Sequence, residues 1–312
     1  GLGLRDRDVV RHRPLPRLQP RRVMLEDLRI TDVHVHVQPW DQLRPDVRAR
    51  MAKGRADFAE LEKMMRDPTS VLDVMDAAGV ARIGVINYVS PGLMGFTSDV
   101  NPYVAGLARA APDRLIPFGG LDPSGEGSLS DDVERLRDLG VRAIKFHPPH
   151  QEIAANAYRH GLPALADMYG RAEELGMPVM VHTGTSIFPG ARNVYADPLP
   201  LDDVGVDFPG LVVILAHLGR PLWPDASFFL LRRHPNFWGD VSGIPPRGLL
   251  RYFPRLEAVA DKLLWGTDWP GPMVPGMRAN LDEFLALDLS DDVKRKLLQD
   301  NPDRLFGPAP EI

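Results

Sequence analysis

The chain has no cysteine among its 312 residues. That excludes a disulfide framework, a thiolate metal site and a cysteine nucleophile, so any metal must be held by histidine and carboxylate. No stretch approaches the roughly eighteen continuous apolar residues of a membrane span, and no membrane partner is expected. Positive charge is not in excess: the net charge is −5 at pH 7, which argues against a general nucleic-acid binder and leaves a small molecule as the expected ligand. A Gly-x-Ser-x-Gly elbow is missing, and with it the support for Ser-His-Asp hydrolysis.

What is present is an ordinary globular composition, 44% hydrophobic and 25% charged, enough to bury one large α/β barrel or two ordinary domains. The 31 prolines suit many short, stiff loops. Gly1 to Arg22 alternates Arg with Pro, Leu and Asp and reads as an extended arm outside a main unit of residues 23–312. The arm lacks the apolar centre of a secretory signal, so a cytoplasmic protein is expected. A solvated tail is the commoner fate of such an arm, and contact with a second copy in a homodimer is the other.

Beyond the arm, helical and strand patterns alternate without a hairpin signal. Phe58, Leu61 and Met65 fall at helical spacing. Thr69 and Ser70 are candidate caps for a helix from Val71 to Ala78, which Gly79 stops. Helices are also expected at Leu129 to Leu139, Leu165 to Leu175, Leu281 to Ala286 and Asp291 to Gln299. Strands are expected at residues 30–36, 81–87, 115–121, 141–147, 178–182, 211–217, 237–242 and 262–268. About eight strands, each entered from a helix or loop, make a parallel sheet. The fold class expected is α/β, a (β/α)₈ barrel, with an open doubly wound sheet as the alternative. The barrel is favoured because no Gly-x-Gly-x-x-Gly turn follows the first strand.

The chemistry gathers at strand ends. In Ile30-Thr31-Asp32-Val33-His34-Val35-His36 the polar residues recur at every second position, which on a regular strand turns Asp32, His34 and His36 to one face. Two imidazoles so placed can bind one metal ion, with Asp32 either joining them or orienting one of them. His147, His182, His217 and Asp268 also stand at the ends of predicted strands, the face that carries barrel active sites. A single buried strand-end histidine is usually a satisfied core residue. Several converging on one mouth call for a first-row divalent ion. Loops around that mouth offer Trp40, Asn87, Tyr88, His150, Arg220, Trp223 and Trp269 as a mixed aromatic and polar lining, with Arg220 suited to a substrate carboxylate.

The ordered set Asp32-x-His34-x-His36, Lys145-Phe146-His147-Pro148, Val181-His182-Thr183-Gly184, Ala216-His217-Leu218-Gly219 and Gly266-Thr267-Asp268-Trp269-Pro270 resembles the amidohydrolase superfamily. In particular it is similar to the branch that includes aminocarboxymuconate-semialdehyde decarboxylase, as is the closing Asn301 to Gly307. The resemblance covers roughly residues 28–307. It implies a distorted barrel with a divalent metal at its mouth, zinc first and manganese second, bound by His34, His36, His182 and Asp268. It also implies a catalytic group of Asp268, as proton acceptor, with His217 and Lys145. Trp40, Asn87, His147, Arg220 and Trp269 are the expected substrate contacts. Lys145 is expected unmodified, meeting Asp32, a substrate carboxylate or a developing oxyanion. The expected activity is metal-dependent hydrolysis of a small amide, ester or lactone. The alternative is non-oxidative decarboxylation of an unsaturated or aromatic acid on the same platform.

Overall fold

The computed structural model describes residues 27–311, so the arm expected over residues 1–22 lies outside the described residues. Eight parallel strands follow one another in sequence order: β1 (Thr31–Val35), β2 (Arg82–Ile86), β3 (Leu115–Gly119), β4 (Ala143–Phe146), β5 (Val179–His182), β6 (Val213–Ala216), β7 (Phe237–Asp240) and β8 (Leu263–Leu264). The last strand returns to the first. Val33 N donates to Trp265 O at 3.1 Å, Asp268 N to His34 O at 2.9 Å and His36 N to Trp269 O at 2.8 Å. A bridge pairs Val35 with Trp269. The sheet therefore closes as a barrel, and the open doubly wound alternative is excluded.

Helices between the strands form where the sequence carries a helical stripe and an end signal. The helix Val71–Ala78 buries Val71, Met75 and Ala78 and stops at Gly79, whose φ of 72° is left-handed. Ser70 does not cap it: its side chain accepts from no helix N–H, and its hydroxyl donates to Asp67 O at 2.7 Å. The helix Leu129–Leu139 starts with Ser128 accepting from Asp131 N and ends at Gly140.

Two apolar layers result. The lumen holds Val33, Ile116, Phe118, Met180, Ile214, Trp238 and Leu264, and Phe306 from the final helix, Asn301–Phe306, closes the lower end. The outer layer packs the other strand faces against the helices. With both faces of every strand covered, hydrophobic runs replace simple alternation.

One irregularity decides the site. Between Asp32 and Val35 the pairing of β1 with β2 slips, three steps on β1 matching two on β2 from Ile83 to Val85. This is a bulge. Val33 faces the lumen and Val35 the outer layer, so Asp32 is out of phase with His34. Contrary to the expectation from period two, the three polar residues do not share a face. Gly84, opposite the bulge, makes it fit: a Cβ there would lie 2.3 Å from Val33 O. Gly84→Ala should therefore destabilise the barrel by about 1–3 kcal/mol, the usual range for overpacking, measured as a lower midpoint in chemical denaturation.

Candidate active site

Downstream of the bulge, His34 and His36 reach the C-terminal mouth of the barrel. The chain after β8 brings Asp268 to them: His36 Nε2 lies 3.0 Å and His34 Nε2 3.5 Å from Asp268 Oδ1. The other nitrogen of His34, Nδ1, is 2.5 Å from Asp240 Oδ2 at the end of β7. His217 follows β6, where strand alternation from the lumen-facing Ile214 and Ala216 would turn it outward. Its φ of 66° turns the ring back in. The ring comes to 4.8 Å from His34 and 4.7 Å from His182, between centroids.

Among the described residues two overlapping groups could hold a metal ion: His34, His36 and Asp268, and His34, His217 and Asp240. The donor set of the first fits a divalent first-row ion. His34 Nε2 is buried without a hydrogen-bond partner, and neutral imidazole is the ligating form. Burial, and after it the nearby positive charges, holds His34, His182 and His217 well below the ordinary imidazole range. Burial alone would raise the Asp268 carboxyl. The hydrogen bond with His36, the imidazoles around it and the Arg220 guanidinium outweigh it and bring Asp268 down to about 2.

Lys145 projects from β4 into the same space, with its Nζ buried and unpartnered. Burial pushes it down to about 8, while Asp240 and Asp268 pull the other way. Those are the acids it faces. Asp32, expected as one of its partners, accepts instead from His34 N at 3.1 Å, Thr267 N at 3.0 Å and Thr267 Oγ1 at 2.7 Å. The bulge is the cause, since it takes Asp32 off the lumen face.

The remaining expected residues fall into several settings. His182 belongs to neither ligand group: its Nε2 is 3.0 Å from Gly184 O, and its ring stacks on His147 at 3.9 Å. His147 stacks in turn on His150 at 3.6 Å. Arg220 stays at the mouth. Its Nε donates to Gly243 O at 2.8 Å and its Nη1 to Thr185 O at 2.9 Å. Asn87 ties the loop after β1 to the end of β2, donating from Nδ2 to Val37 O at 2.8 Å, and leaves Oδ1 unpartnered. Trp40 is buried and stacked on Phe58 at 5.4 Å. Trp269 is buried too and lines a side cavity with Leu61 and Met64. Sequence reasoning missed Asp240. Its signal was available, an acid ending a strand as Asp268 follows one, but β7 carries no histidine to draw attention to it.

Residues 31–307 match the sequence model described as amidohydrolase. The chain belongs to the amidohydrolase family. This amidohydrolase is 27% identical over 215 residues to a 2-pyrone-4,6-dicarboxylate hydrolase of Comamonas testosteroni, covering 58% of the chain and 64% of that protein. It is 28% identical over 201 residues to a 4-sulfomuconolactone hydrolase of Rhizobium radiobacter, covering 55% and 61%. The chain thus spans just under two thirds of the length of these curated relatives. An uncharacterized TIM-barrel protein from Bordetella bronchiseptica matches the fold with a TM-score of 0.71 at 25% identity, over 90% of this chain and 99% of that one. Solved aromatic-acid decarboxylases share the fold at 17–19% identity.

Gly243 shows how tightly the mouth of this amidohydrolase is built. Its φ is +66°, and a Cβ there would lie 2.8 Å from His217 Nδ1, 2.9 Å from Arg220 Nη2 and 3.1 Å from Asp268 Oδ2. Gly243→Ala should leave the far-ultraviolet circular dichroism spectrum unchanged. It should lower metal content or turnover at least tenfold, read by elemental analysis and steady-state kinetics.

Proposed function

We propose that this amidohydrolase hydrolyses a small lactone or ester that carries an acidic group, with a divalent ion, zinc or manganese, held by His34, His36 and Asp268. The observation that carries the reading is the meeting of an ionised Asp268 with two histidines at one point, one of which presents an unpartnered Nε2. Both curated relatives are named as hydrolases of substrates that bear acid groups on a lactone-type ring, which supports the lactone within the wider class of amide, ester or lactone. Bound there, the ion would supply Lewis acidity to the carbonyl and make a nearby water more acidic.

The chain's own residues do the rest. Asp268, held ionised, accepts the proton of the attacking water. His217 orients that water or the substrate oxygen. Lys145 Nζ, buried and without a partner, donates to the oxyanion that develops on the carbonyl. Arg220, with Nε and Nη1 tied to backbone carbonyls, keeps Nη2 for the substrate's acid group. Asn87 and His147 each hold one buried, unpartnered polar atom that substrate can satisfy. His182, beside His217, completes the ligand set if its Nε2 leaves Gly184 O. A cytoplasmic setting, in keeping with a chain that has no cysteine, and a small-molecule partner belong to the same proposal.

Asp268→Asn should lower kcat by about 10²–10⁴-fold while metal content falls far less, because the amide oxygen can still coordinate but cannot take the proton. Turnover in ¹⁸O water should place label in a product carboxylate. Carbon dioxide release without that label would replace hydrolysis with decarboxylation.

A further inference from the structure

Asp240 and Ser242 sit behind the two histidines that face the mouth. Asp240 Oδ2 is 2.5 Å from His34 Nδ1 and accepts from Ser242 Oγ at 2.7 Å. Its Oδ1 accepts from Ser242 N at 2.8 Å, so the carboxylate is pinned at both oxygens. His217 Nδ1 lies 3.0 Å from Ser242 O and 3.1 Å from Ser242 Oγ. All four residues are buried. Because the Ser242 hydroxyl hydrogen goes to Asp240, what remains toward His217 is acceptor lone pairs, and His217 Nδ1 must be the donor.

The same accounting applies to His34. Asp240 accepts from Ser242 at both of its oxygens, the pattern of a carboxylate that only accepts, so the His34 nitrogen 2.5 Å from Oδ2 carries the hydrogen and Nε2 is left as a lone pair. That Nε2 is the buried atom without a hydrogen-bond partner. Two glycines make room for the arrangement. At Gly266 a Cβ would lie 2.9 Å from Asp240 Oδ1 and 3.0 Å from His34 Cβ, and at Gly243 it would meet His217 Nδ1.

We propose that Asp240, braced by Ser242, is a positioning residue that fixes His34 and, through Ser242, His217 as Nδ1–H imidazoles, so that both Nε2 lone pairs face the mouth. The proposal deepens the metal-site reading above, since a ligand imidazole needs its free lone pair aimed and its other nitrogen anchored. A tautomer at two histidines set from one strand end also explains a buried acid that the hydrolytic step does not itself use. Without Asp240, His34 would be free to carry its hydrogen on Nε2 and donate to Asp268, which blocks that lone pair.

The test uses the full chain, labelled with ¹⁵N-histidine and stripped of metal with chelator, with Asp240→Asn and Ser242→Ala alongside the wild type. Long-range ¹H–¹⁵N correlation should show His34 and His217 as Nδ1–H tautomers in the wild type. In Asp240→Asn the amide can donate as well as accept, and His34 should shift to a mixture or to Nε2–H. Manganese or zinc affinity, read by titration calorimetry, should fall about 10–100-fold. In Ser242→Ala the expected loss is smaller, with His34 still protonated on Nδ1, and this milder variant decides the matter if Asp240→Asn does not fold. An Nε2–H tautomer of His34 in the metal-free wild type would overturn the proposal, as would an unchanged tautomer with unchanged affinity in Asp240→Asn, or, where that variant does not fold, an unchanged affinity in Ser242→Ala. The tautomer readout needs neither substrate nor metal, so it stands if the lactone reading fails.

Discussion

Three backbone hydrogen bonds across the seam between β1 and the chain after β8 hold the site together. They join residues more than 230 positions apart, Val33 to Trp265, His34 to Asp268 and His36 to Trp269. They bring Asp268 within reach of both strand-one histidines. Asp32 braces the seam from behind, its carboxylate accepting from backbone and side-chain donors on both sides. Burial pushes that carboxyl up to about 7 against the lowering effect of those bonds. Removing it would leave buried N–H groups of His34 and Thr267 unsatisfied, at about 1–3 kcal/mol each. Asp32 therefore serves the site through its geometry, one step removed from the chemistry.

The barrel was legible because each of its units carries its own signal. Apolar strands, helical stripes, Ser128 as a cap, and Gly79 and Gly140 as stops are local features, and the structure returns them to within a few residues. The strand ends were legible for the same reason, with His34, His36, Lys145, His217 and Asp268 collected around one mouth. What could not be read was phase. A bulge adds one residue to a strand without changing the composition around it, and period two assigned Asp32 to the wrong face. Gly84 is the only local trace, and a glycine in a strand has several causes. Asp240 was hidden differently, since its role depends on a contact with His34 across 206 positions. Trp40 shows the reverse case: an aromatic residue on a loop suggests a lining, and only packing reveals Phe58 beneath it.

The electrostatics of the mouth follow from desolvation. His34, His217, His182, His147 and His150 lie in one run of neighbouring rings, and that crowding is tolerable because burial keeps them neutral, His150 down to about 3. Neutral rings can stack and lend lone pairs, whereas charged ones at these separations would repel strongly in a medium of low dielectric constant. Lys145 is the buried cation of the set, and Asp240 and Asp268 are what keep its pKa from falling further. The same medium magnifies whatever charge develops on a substrate oxygen placed between Lys145 and the histidines.

Such a site needs rigid backbone, and two of its residues stand in costly conformations. His217 and Asp268 both have left-handed φ values, 66° and 67°, at about 1–3 kcal/mol each for a residue with a side chain. A straight strand end would turn the His217 ring outward, away from His34. The cost is tolerated because the surroundings over-determine each position. Asp268 N is bound to His34 O while Asp268 O accepts from Gly271 N at 2.7 Å. His217 is held at Nδ1 by Ser242 and at its carbonyl by Arg220 N at 3.1 Å. One anchor of each strained residue leads back to β1 or to the chain just after β7, the strands that carry His34 and Asp240. The strain and the geometry of the mouth are therefore one arrangement.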